Sequence, residues 1–300
     1  METLANKYRP KDFDSVIGQD VTITILKNQI EKNSYSHSIL FAGNAGCGKT
    51  TCAKILANMI DGEIFSYDCA SHNGVAEMRE IISNARIPSL IHKYKIFILD
   101  ECHTLSSSAW PALLMTLEEN LPTSIFIFCT TDTAKIPNTI ISRLQRFNFM
   151  PISTNLIEER LKYVCKQENI NIEDAALNSI AKSAEGGLRQ ALTNLDKCLM
   201  YGDLSLENVQ RVLNIVSDDV FDKLYDAISN NDRKEIIRII EDIYNNGYEL
   251  HLIVKQFLDY LLDNIKDLKI IDTTMTILQD IKYESYPKNL IIARYITINV

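Results

Sequence analysis

A glycine-rich loop near residue 45 has the residue types that bind the phosphates of a nucleotide. Its sequence is Gly43-Asn44-Ala45-Gly46-Cys47-Gly48-Lys49-Thr50. The loop fits the pattern G-x-x-x-x-G-K-[ST], whose glycines let successive backbone N–H groups point at phosphate oxygens. In that chemistry Lys49 binds the β- and γ-phosphates and Thr50 binds Mg²⁺. The loop therefore predicts a site for ATP or GTP, and a chance glycine turn is the alternative.

Two adjacent carboxylates follow an apolar run at 94–99. In a nucleotide site, one carboxylate orients Mg²⁺ through its water shell and the next polarises the attacking water. We therefore assign Asp100 to the metal and Glu101 to the water. Acidic pairs at strand ends also occur as solvated caps, and the phosphate loop earlier in the chain is what favours catalysis here.

Two later residues are candidates for the same site. Thr131 follows the apolar run 124–129, where its hydroxyl could hydrogen-bond the γ-phosphate or its water; a strand-end turn is the alternative. Arg189 stands at a predicted helix start, where the positive end of the helix dipole disfavours a cation. That conflict indicates an external anion, with a solvated arginine as the alternative.

The irregular segment 7–20 precedes the loop and contains an aromatic residue, a proline and a Val-Ile-Gly turn. These residues could surround the adenine ring, or the segment could be an ordinary N-terminal arm. The predicted nucleotide contacts are Tyr8, Arg9, Val16, Ile17, Gly43, Asn44, Ala45, Gly46, Cys47, Gly48, Lys49, Thr50, Thr51 and Arg189.

The elements that must position these residues follow from hydrophobic spacing. Apolar runs predict strands at 39–42, 63–69, 94–99 and 124–129, with a short last strand ending near residue 150. Helical spacing lies between them, which predicts a parallel sheet covered on both faces with the ligand at the carboxyl edge of its strands. The only tryptophan, Trp110, is interpreted as a core residue rather than an exposed contact.

At Pro151 the pattern changes to helices alone. The predicted helices are 157–168, 172–183, 188–201, 221–228, 233–244, 249–266 and a last one at 273–282. We divide the chain into domains at 1–150, 151–213 and 214–300. The apolar helix faces of the third domain either close their own core or pack against other subunits.

Composition excludes several classes of protein. The net charge of −8 and the pI near 5.2 mean that binding to nucleic acid needs a local basic surface rather than overall attraction. No apolar run approaches the roughly 18 residues of a membrane span, and the first residues have no signal-peptide pattern. Seven cysteines without a C-x-x-C pair argue against a disulfide framework and a zinc module. We expect reduced thiols, no membrane and a cytoplasmic location.

With these residues in place, the chain resembles the ATPase subunit of a DNA polymerase sliding-clamp loader, most like the bacterial gamma/tau type, within the AAA+ superfamily. The resemblance extends to about residue 210. It rests on the phosphate loop and on segments whose order and spacing match together: Lys7-Tyr8-Arg9-Pro10, Val16-Ile17-Gly18-Gln19, Asp100-Glu101-Cys102-His103-Thr104-Leu105-Ser106, Leu113-Leu114-Met115-Thr116-Leu117-Glu118-Glu119, Thr130-Thr131-Asp132, Ile141-Ser142-Arg143 and Gly187-Leu188-Arg189-Gln190-Ala191-Leu192.

The resemblance implies an α/β AAA+ domain, an all-α lid and an all-α collar. It places Thr131 at the sensor 1 position and Arg189 at sensor 2. Arg143 falls where the family has an arginine finger that acts in trans on ATP bound by a neighbouring subunit. The implied activity is Mg²⁺-dependent ATP hydrolysis that opens a sliding clamp and loads it on primer–template DNA during replication. The implied partners are the clamp, that DNA and other loader subunits, in a pentamer.

Three departures from the family pattern qualify this expectation. The four-cysteine zinc module that the family carries after the first helix is missing, so we expect no zinc. The serine-arginine-cysteine motif reads Ser142-Arg143-Leu144, which keeps the arginine. The third block is short for a collar and has no tau-like tail, which suggests a compact version such as a virus would encode.

Two other functions fit the same fold. One is an AAA+ repair or branch-migration ATPase that works without a clamp. The other is a scaffold subunit of a clamp loader that no longer hydrolyses ATP. Scaffold subunits typically lose the loop lysine or the acidic pair, and Lys49, Asp100 and Glu101 are all present.

Overall fold

A five-stranded sheet organises the first half of the protein in the computed structural model, which describes residues 2–119, 121–264 and 266–298. The strands are β1 Ser38–Gly43, β2 Gly62–Asp68, β3 Tyr94–Asp100, β4 Ser124–Thr130 and β5 Gln145–Phe149. Their spatial order is β2-β3-β4-β1-β5, and every pairing is parallel. The predicted parallel sheet is therefore confirmed.

Helices cover both faces of the sheet. Those of the first 150 residues are α1 Leu4–Lys7, α2 Asp20–Glu31, α3 Lys49–Met59, α4 Val75–Ala85, α5 Ala109–Glu119 and α6 Asn138–Ile141. Side chains alternate along β1: Ile39 and Phe41 pack with α2 and α3, and Leu40 packs with α4 and α5. A strand buried on both faces is apolar at successive positions, which is why the sequence shows continuous runs. Trp110 is buried within the α4–α5 layer, as predicted.

Three helices follow the sheet: α7 Thr154–Glu168, α8 Asp174–Ser183 and α9 Leu188–Tyr201. Ser153 caps α7 by accepting a hydrogen bond from the Leu156 N–H, and Asn169, directly after the helix, has the left-handed conformation. The backbone contacts divide the chain into two compact units. The first contains residues up to 171 together with 180–196, and the second contains 172–179 and 197–300.

The second unit is helical in its described residues. Its further helices are α10 Leu206–Leu213, α11 Asp218–Ser229, α12 Arg233–Asn245, α13 Leu250–Asp263, α14 Leu268–Asp280 and α15 Pro287–Ile296. The apolar face of α13 is buried in one core with α11, α12, α14 and α15, including Ile253, Phe257 and Leu261. That face therefore closes a core within its own unit, although Leu262 beside it is 53% exposed.

Two helices of the second unit were missed by the sequence interpretation, and the helix predicted at 273–282 is present with different bounds and is not the last one. α14 begins earlier, at Leu268, and α15 follows a short 3₁₀ turn at Ile281–Tyr283. α10 was also not predicted. α15 starts at Pro287, because proline is favoured in a first turn where the backbone N–H has no helical partner. Here the proline lies at the start of a helix and does not interrupt one.

No helix within 2–119, 121–264 or 266–298 has the length and apolar character needed to cross a membrane.

The cysteines give a first prediction. All seven lie in the described part of the chain as buried free thiols. Burial raises the pKa of the Cys52 and Cys69 thiols to about 12, and it also raises the pKa of Cys47 within the phosphate loop. Because the thiolate is the reactive form, we expect no rapid reaction with a thiol reagent near pH 8 in the folded protein and full reaction in guanidinium chloride. Fast labelling of the native protein would contradict this burial.

Candidate functional site

The phosphate loop joins β1 to α3, and its backbone requires glycine at two places. A Cβ on Gly43 would lie 2.2 Å from the Phe149 carbonyl oxygen of β5, so any side chain there would force β1 and β5 apart. Gly48 immediately precedes α3 with φ of 104°, which L side chains rarely adopt. The loop therefore turns tightly into the N-terminus of α3, where backbone N–H groups have no helical partners.

The ammonium group of Lys49 binds carbonyl oxygens of its own loop. Its side chain is only 5% exposed, and its Nζ donates to the carbonyl oxygens of Gly43 at 2.9 Å and Asn44 at 2.8 Å. A buried ammonium needs hydrogen-bond partners, and these carbonyls supply them without a carboxylate. Within the described residues these two bonds leave the third N–H of the ammonium for a phosphate oxygen.

The loop is connected to the end of β3 by one hydrogen bond. Thr50 Oγ1 donates to Asp100 Oδ2 at 2.8 Å, and the other oxygen of Asp100 accepts from the Glu101 N–H at 3.1 Å. A hydroxyl and a carboxylate side by side are the protein ligands that Mg²⁺ takes when phosphates and water complete its shell. The predicted pair of metal ligands is therefore adjacent in space, and these residues fit the ion.

No cluster of three or more histidine, cysteine or acidic side chains suited to a metal occurs among the described residues. A Mg²⁺ site does not need such a cluster, since that ion keeps several waters. The expected absence of zinc stays a prediction.

Glu101 lies next to Thr131, as predicted for one site. The Thr131 hydroxyl donates to Glu101 Oε2 at 3.0 Å, which joins the residue after β4 to the residue after β3. Glu101 itself has left-handed backbone angles, φ 48° and ψ 43°, which are uncommon for a residue with a side chain. The turn after β3 thus directs the carboxylate along the carboxyl edge of the sheet.

A cleft of about 410 Å³ extends from the loop and contains most of the predicted contacts. Its predicted lining residues are Tyr8, Arg9, Val16, Ile17, Ala45, Gly46, Cys47, Gly48, Lys49, Thr50, Thr51, Asp100, Glu101 and Arg189. Gly43 and Asn44 are not part of this lining and instead accept the hydrogen bonds of Lys49. Arg189 is close to the loop, because its Cβ lies 3.5 Å from where a Cβ on Gly46 would be.

Some lining residues were not assigned from sequence. They are Ala5, Asn6, Pro10, Ile152, Leu188, Gln190, Leu192 and Thr193. Helical periodicity after Arg189 would have identified Leu192 and Thr193, which are three and four positions further along α9. Gln19 was missed as a structural link: its buried amide donates to the Met150 carbonyl at 2.7 Å and accepts from the Met150 N–H at 3.1 Å. It fixes the start of α2 against the end of β5.

A carboxylate of α7 binds two residues of the N-terminal arm. Glu168 accepts a hydrogen bond from the Tyr8 hydroxyl and an ion pair from Lys7 Nζ at 2.6 Å. The bond to Glu168 raises the pKa of Tyr8 to about 12, while Lys7 lowers the pKa of Glu168. Arg9 donates to Thr51 Oγ1 at 3.1 Å, so the next residue of the arm reaches α3. The arm therefore spans the cleft wall from α7 to the loop helix.

Arg143 is placed elsewhere. It follows α6, and its Nη2 lies 2.6 Å from Glu118 Oε1 while its Nη1 donates to the Thr139 carbonyl at 2.7 Å. In the described residues it does not line the cleft of its own chain. Its side chain is 38% exposed, so the guanidinium is accessible at the surface. The trans role stays a prediction.

These features define a class of protein: a P-loop nucleotide-binding domain followed by helical domains. Residues 39–152 match the family model described as ATPase family associated with various cellular activities, AAA. Residues 156–204 match the DNA polymerase III clamp loader subunit, ATPase lid domain, and residues 204–285 match DNA polymerase III subunits gamma and tau domain III. The chain belongs to the gamma/tau family of DNA polymerase III subunits, as its relatives also show.

The DNA polymerase III subunit gamma of Buchnera aphidicola is 31% identical, over 87% of this chain and 79% of that protein. The DNA polymerase III subunit gamma/tau of Mycoplasma genitalium is 33% identical over 93% of this chain but 52% of that protein, and the tau subunit of Bacillus subtilis is 32% identical over 87% and 51%. The chain thus spans about half the length of the first curated relatives it matches.

Among solved structures, the Thermotoga maritima RuvB Holliday junction branch migration motor superposes with a TM-score of 0.58. It is 22% identical and covers 86% of this chain and 91% of its own. This likeness shows the fold alone.

The arm gives a testable prediction. Glu168→Gln removes the negative charge that binds Tyr8 and Lys7, and Tyr8→Phe removes the hydroxyl that binds Glu168. Each change should weaken ATP binding by roughly 2- to 10-fold, because one hydrogen bond contributes about 0.5–1.5 kcal/mol. Titration of a fluorescent ATP analogue measures the effect. Because both changes weaken the Tyr8–Glu168 contact, the loss in the double variant should be smaller than the sum of the two single losses.

Glu159→Gln, an exposed position on the same helix, is the matched control and should bind like the wild type. Unchanged affinity in both arm variants would mean that the arm does not form part of the nucleotide site.

Proposed function

We propose that this chain is the ATP-hydrolysing motor subunit of a clamp loader, which opens a sliding clamp and loads it on primer–template DNA. The observation that carries the proposal is the hydrogen-bonded set Thr50, Asp100, Glu101 and Thr131 in a member of the gamma/tau family; the first three line the cleft, and Thr131 binds Glu101. A subunit retained only as a scaffold has no need for these contacts.

The proposed chemistry is phosphoryl transfer to water. Lys49 and Arg189 bind phosphate oxygens, and Thr50 and Asp100 hold Mg²⁺, which neutralises charge on the phosphates when bound. Glu101 accepts a proton from the attacking water, and Thr131 orients that carboxylate or the water. Most of the catalytic effect in this reaction class comes from positioning and charge stabilisation. These side chains supply both.

We infer that Arg143 completes the site of a neighbouring subunit. Its ion pair with Glu118 involves half-exposed side chains, and such pairs contribute only about 0–1 kcal/mol. A triphosphate carries more negative charge than one carboxylate and can compete for the guanidinium. The arginine can therefore leave Glu118 at little cost when a partner presents ATP.

The further assignments rest on the family. We keep the division into an AAA+ domain at 1–150, a lid at 151–213 and a collar at 214–300, with the collar joining loader subunits. The proposed partners are a sliding clamp, primer–template DNA and other subunits of a pentamer, in the cytoplasm. Branch migration without a clamp is less well supported, because the RuvB likeness is one of fold whereas the lid and third-domain matches name clamp-loader subunits.

The function is tested on the complex purified with its co-encoded subunits. We expect ATP hydrolysis that rises when primed DNA and the clamp are added together. Absence of that stimulation would contradict the proposal, and co-purification of homo-hexamers without a clamp would favour branch migration.

Two substitutions should separate binding from hydrolysis. Lys49→Ala should weaken ATP binding by roughly 10- to 100-fold, because it removes a hydrogen bond to a charged phosphate oxygen, which contributes about 1.5–3 kcal/mol. Glu101→Gln should bind ATP normally and fail to hydrolyse it, because the amide cannot accept the proton of the water. Equilibrium binding and single-turnover hydrolysis measure the two effects. A Glu101→Gln chain that still turns over ATP would assign the base to another residue.

The arginine finger is tested in the assembled complex. Arg143→Ala should leave ATP binding near normal and lower hydrolysis by roughly 10³- to 10⁵-fold, the range for losing such a finger. Arg146→Ala, an exposed arginine on β5, is the matched control and should hydrolyse ATP at the wild-type rate. An unchanged rate in Arg143→Ala would exclude the trans role.

A further inference from the structure

His103 makes a contact with the proposed base that its position in the motif did not reveal. The imidazole is only 15% exposed, and its Nδ1 lies 3.3 Å from Glu101 Oε2. The same nitrogen lies 3.2 Å from Thr130 Oγ1, at the end of β4. One ring nitrogen therefore stands between the carboxylate and a buried hydroxyl.

The hydrogen-bond partners determine which nitrogen carries the proton. The Thr130 hydroxyl donates to the Asp132 carbonyl at 3.1 Å and accepts from the Asp132 N–H at 3.0 Å. With its single proton given to the Asp132 carbonyl, Thr130 Oγ1 accepts from His103. An ionised Glu101 also only accepts. Both neighbours thus require a proton on Nδ1, and a bare Nδ1 would place its lone pair against the carboxylate.

The consequence concerns which oxygen of Glu101 can act. Oε2 lies 3.3 Å from His103 Nδ1 and accepts a hydrogen bond from the Thr131 hydroxyl at 3.0 Å. Within the part of the chain that the structure describes, both contacts fall on Oε2, which leaves Oε1 for a water molecule. A glutamate side chain that is 36% exposed would otherwise sample several rotamers.

We propose that His103 is a positioning residue for hydrolysis: its Nδ1–H donates to Thr130, and the positive end of that bond, 3.3 Å from Oε2, attracts Glu101 so that Oε1 faces the attacking water. The inference rests on the proposed function, in which Glu101 is the base. The anchor is rigid, because Thr130 is fully buried and belongs to β4, and the 3₁₀ turn Cys102–Thr104 carries the imidazole directly after Glu101. A fixed base favours the reactive geometry, and small displacements cost rate rather than binding.

Three substitutions at this position distinguish positioning from packing. Asparagine carries an N–H donor on its γ-carbon, as histidine carries Nδ1, whereas the amide of glutamine lies one bond further out. In the assembled complex, His103→Ala and His103→Gln should lower kcat by about 10- to 100-fold with KM for ATP nearly unchanged. His103→Asn should recover most of the lost kcat.

Three results would overturn the inference: an unchanged or raised kcat in His103→Ala, equal rates for the asparagine and glutamine variants, or a defect confined to KM. Thermal melting and binding of a fluorescent ATP analogue are measured in parallel. Loss of folding or ATP binding in all three variants would show a packing role and would also overturn it.

A second measurement does not depend on hydrolysis. Long-range ¹H–¹⁵N correlation of the ring nitrogens in the full chain reports the tautomer, with the His103 signals assigned by their absence in His103→Asn. We expect the Nδ1–H form, and the Nε2–H form would overturn the inference. If the wild-type complex failed to hydrolyse ATP, the proposed function would be contradicted. The spectrum would still show whether His103 carries its proton on Nδ1, next to Glu101.

Discussion

The hydrogen bond between Thr50 and Asp100 joins the two parts of the sheet edge on which the site depends. Thr50 lies in the first turn of α3, which follows β1, and Asp100 ends β3; β4 lies between those strands. β1 is flanked by β4 and β5 rather than by the strand that follows it in sequence. Ligands of open α/β sheets bind where the strand order reverses in this way. The loop, the acidic pair and Thr131 lie at this edge because each follows the carboxyl end of a strand in the same parallel sheet.

Charge within the cleft is balanced by polar groups rather than by opposite charges. Lys49 is buried against carbonyl oxygens, so its charge stays available to phosphates. Arg143 instead pairs with Glu118 at a half-exposed surface, where the pair is weak. In a chain of net charge −8, such local arrangements matter more than the overall field for binding an anion.

Much of this arrangement could be predicted from sequence, because it depends on local pattern. Apolar runs located the strands, and strand ends in a parallel sheet lie at one edge, which placed Asp100 near Thr131. Contacts between residues far apart in sequence could not be predicted that way. Tyr8 meets Glu168 across 160 positions, and no periodicity records that pairing. The contact of His103 with Glu101 depends on turn geometry and on where one hydroxyl proton goes. α15 was missed because Pro287 was not used as a helix-start signal.

We propose a functional site that is shared between chains, with Glu101 from one chain and Arg143 from the next. The most direct measurement mixes two defective chains, Glu101→Gln and Arg143→Ala, within one assembled complex. Each complex made with a single variant should be inactive. The mixed complex should recover hydrolysis, because some interfaces pair an intact Glu101 with an intact Arg143. A mixed complex as inactive as its parents, with assembly confirmed, would contradict a site completed in trans.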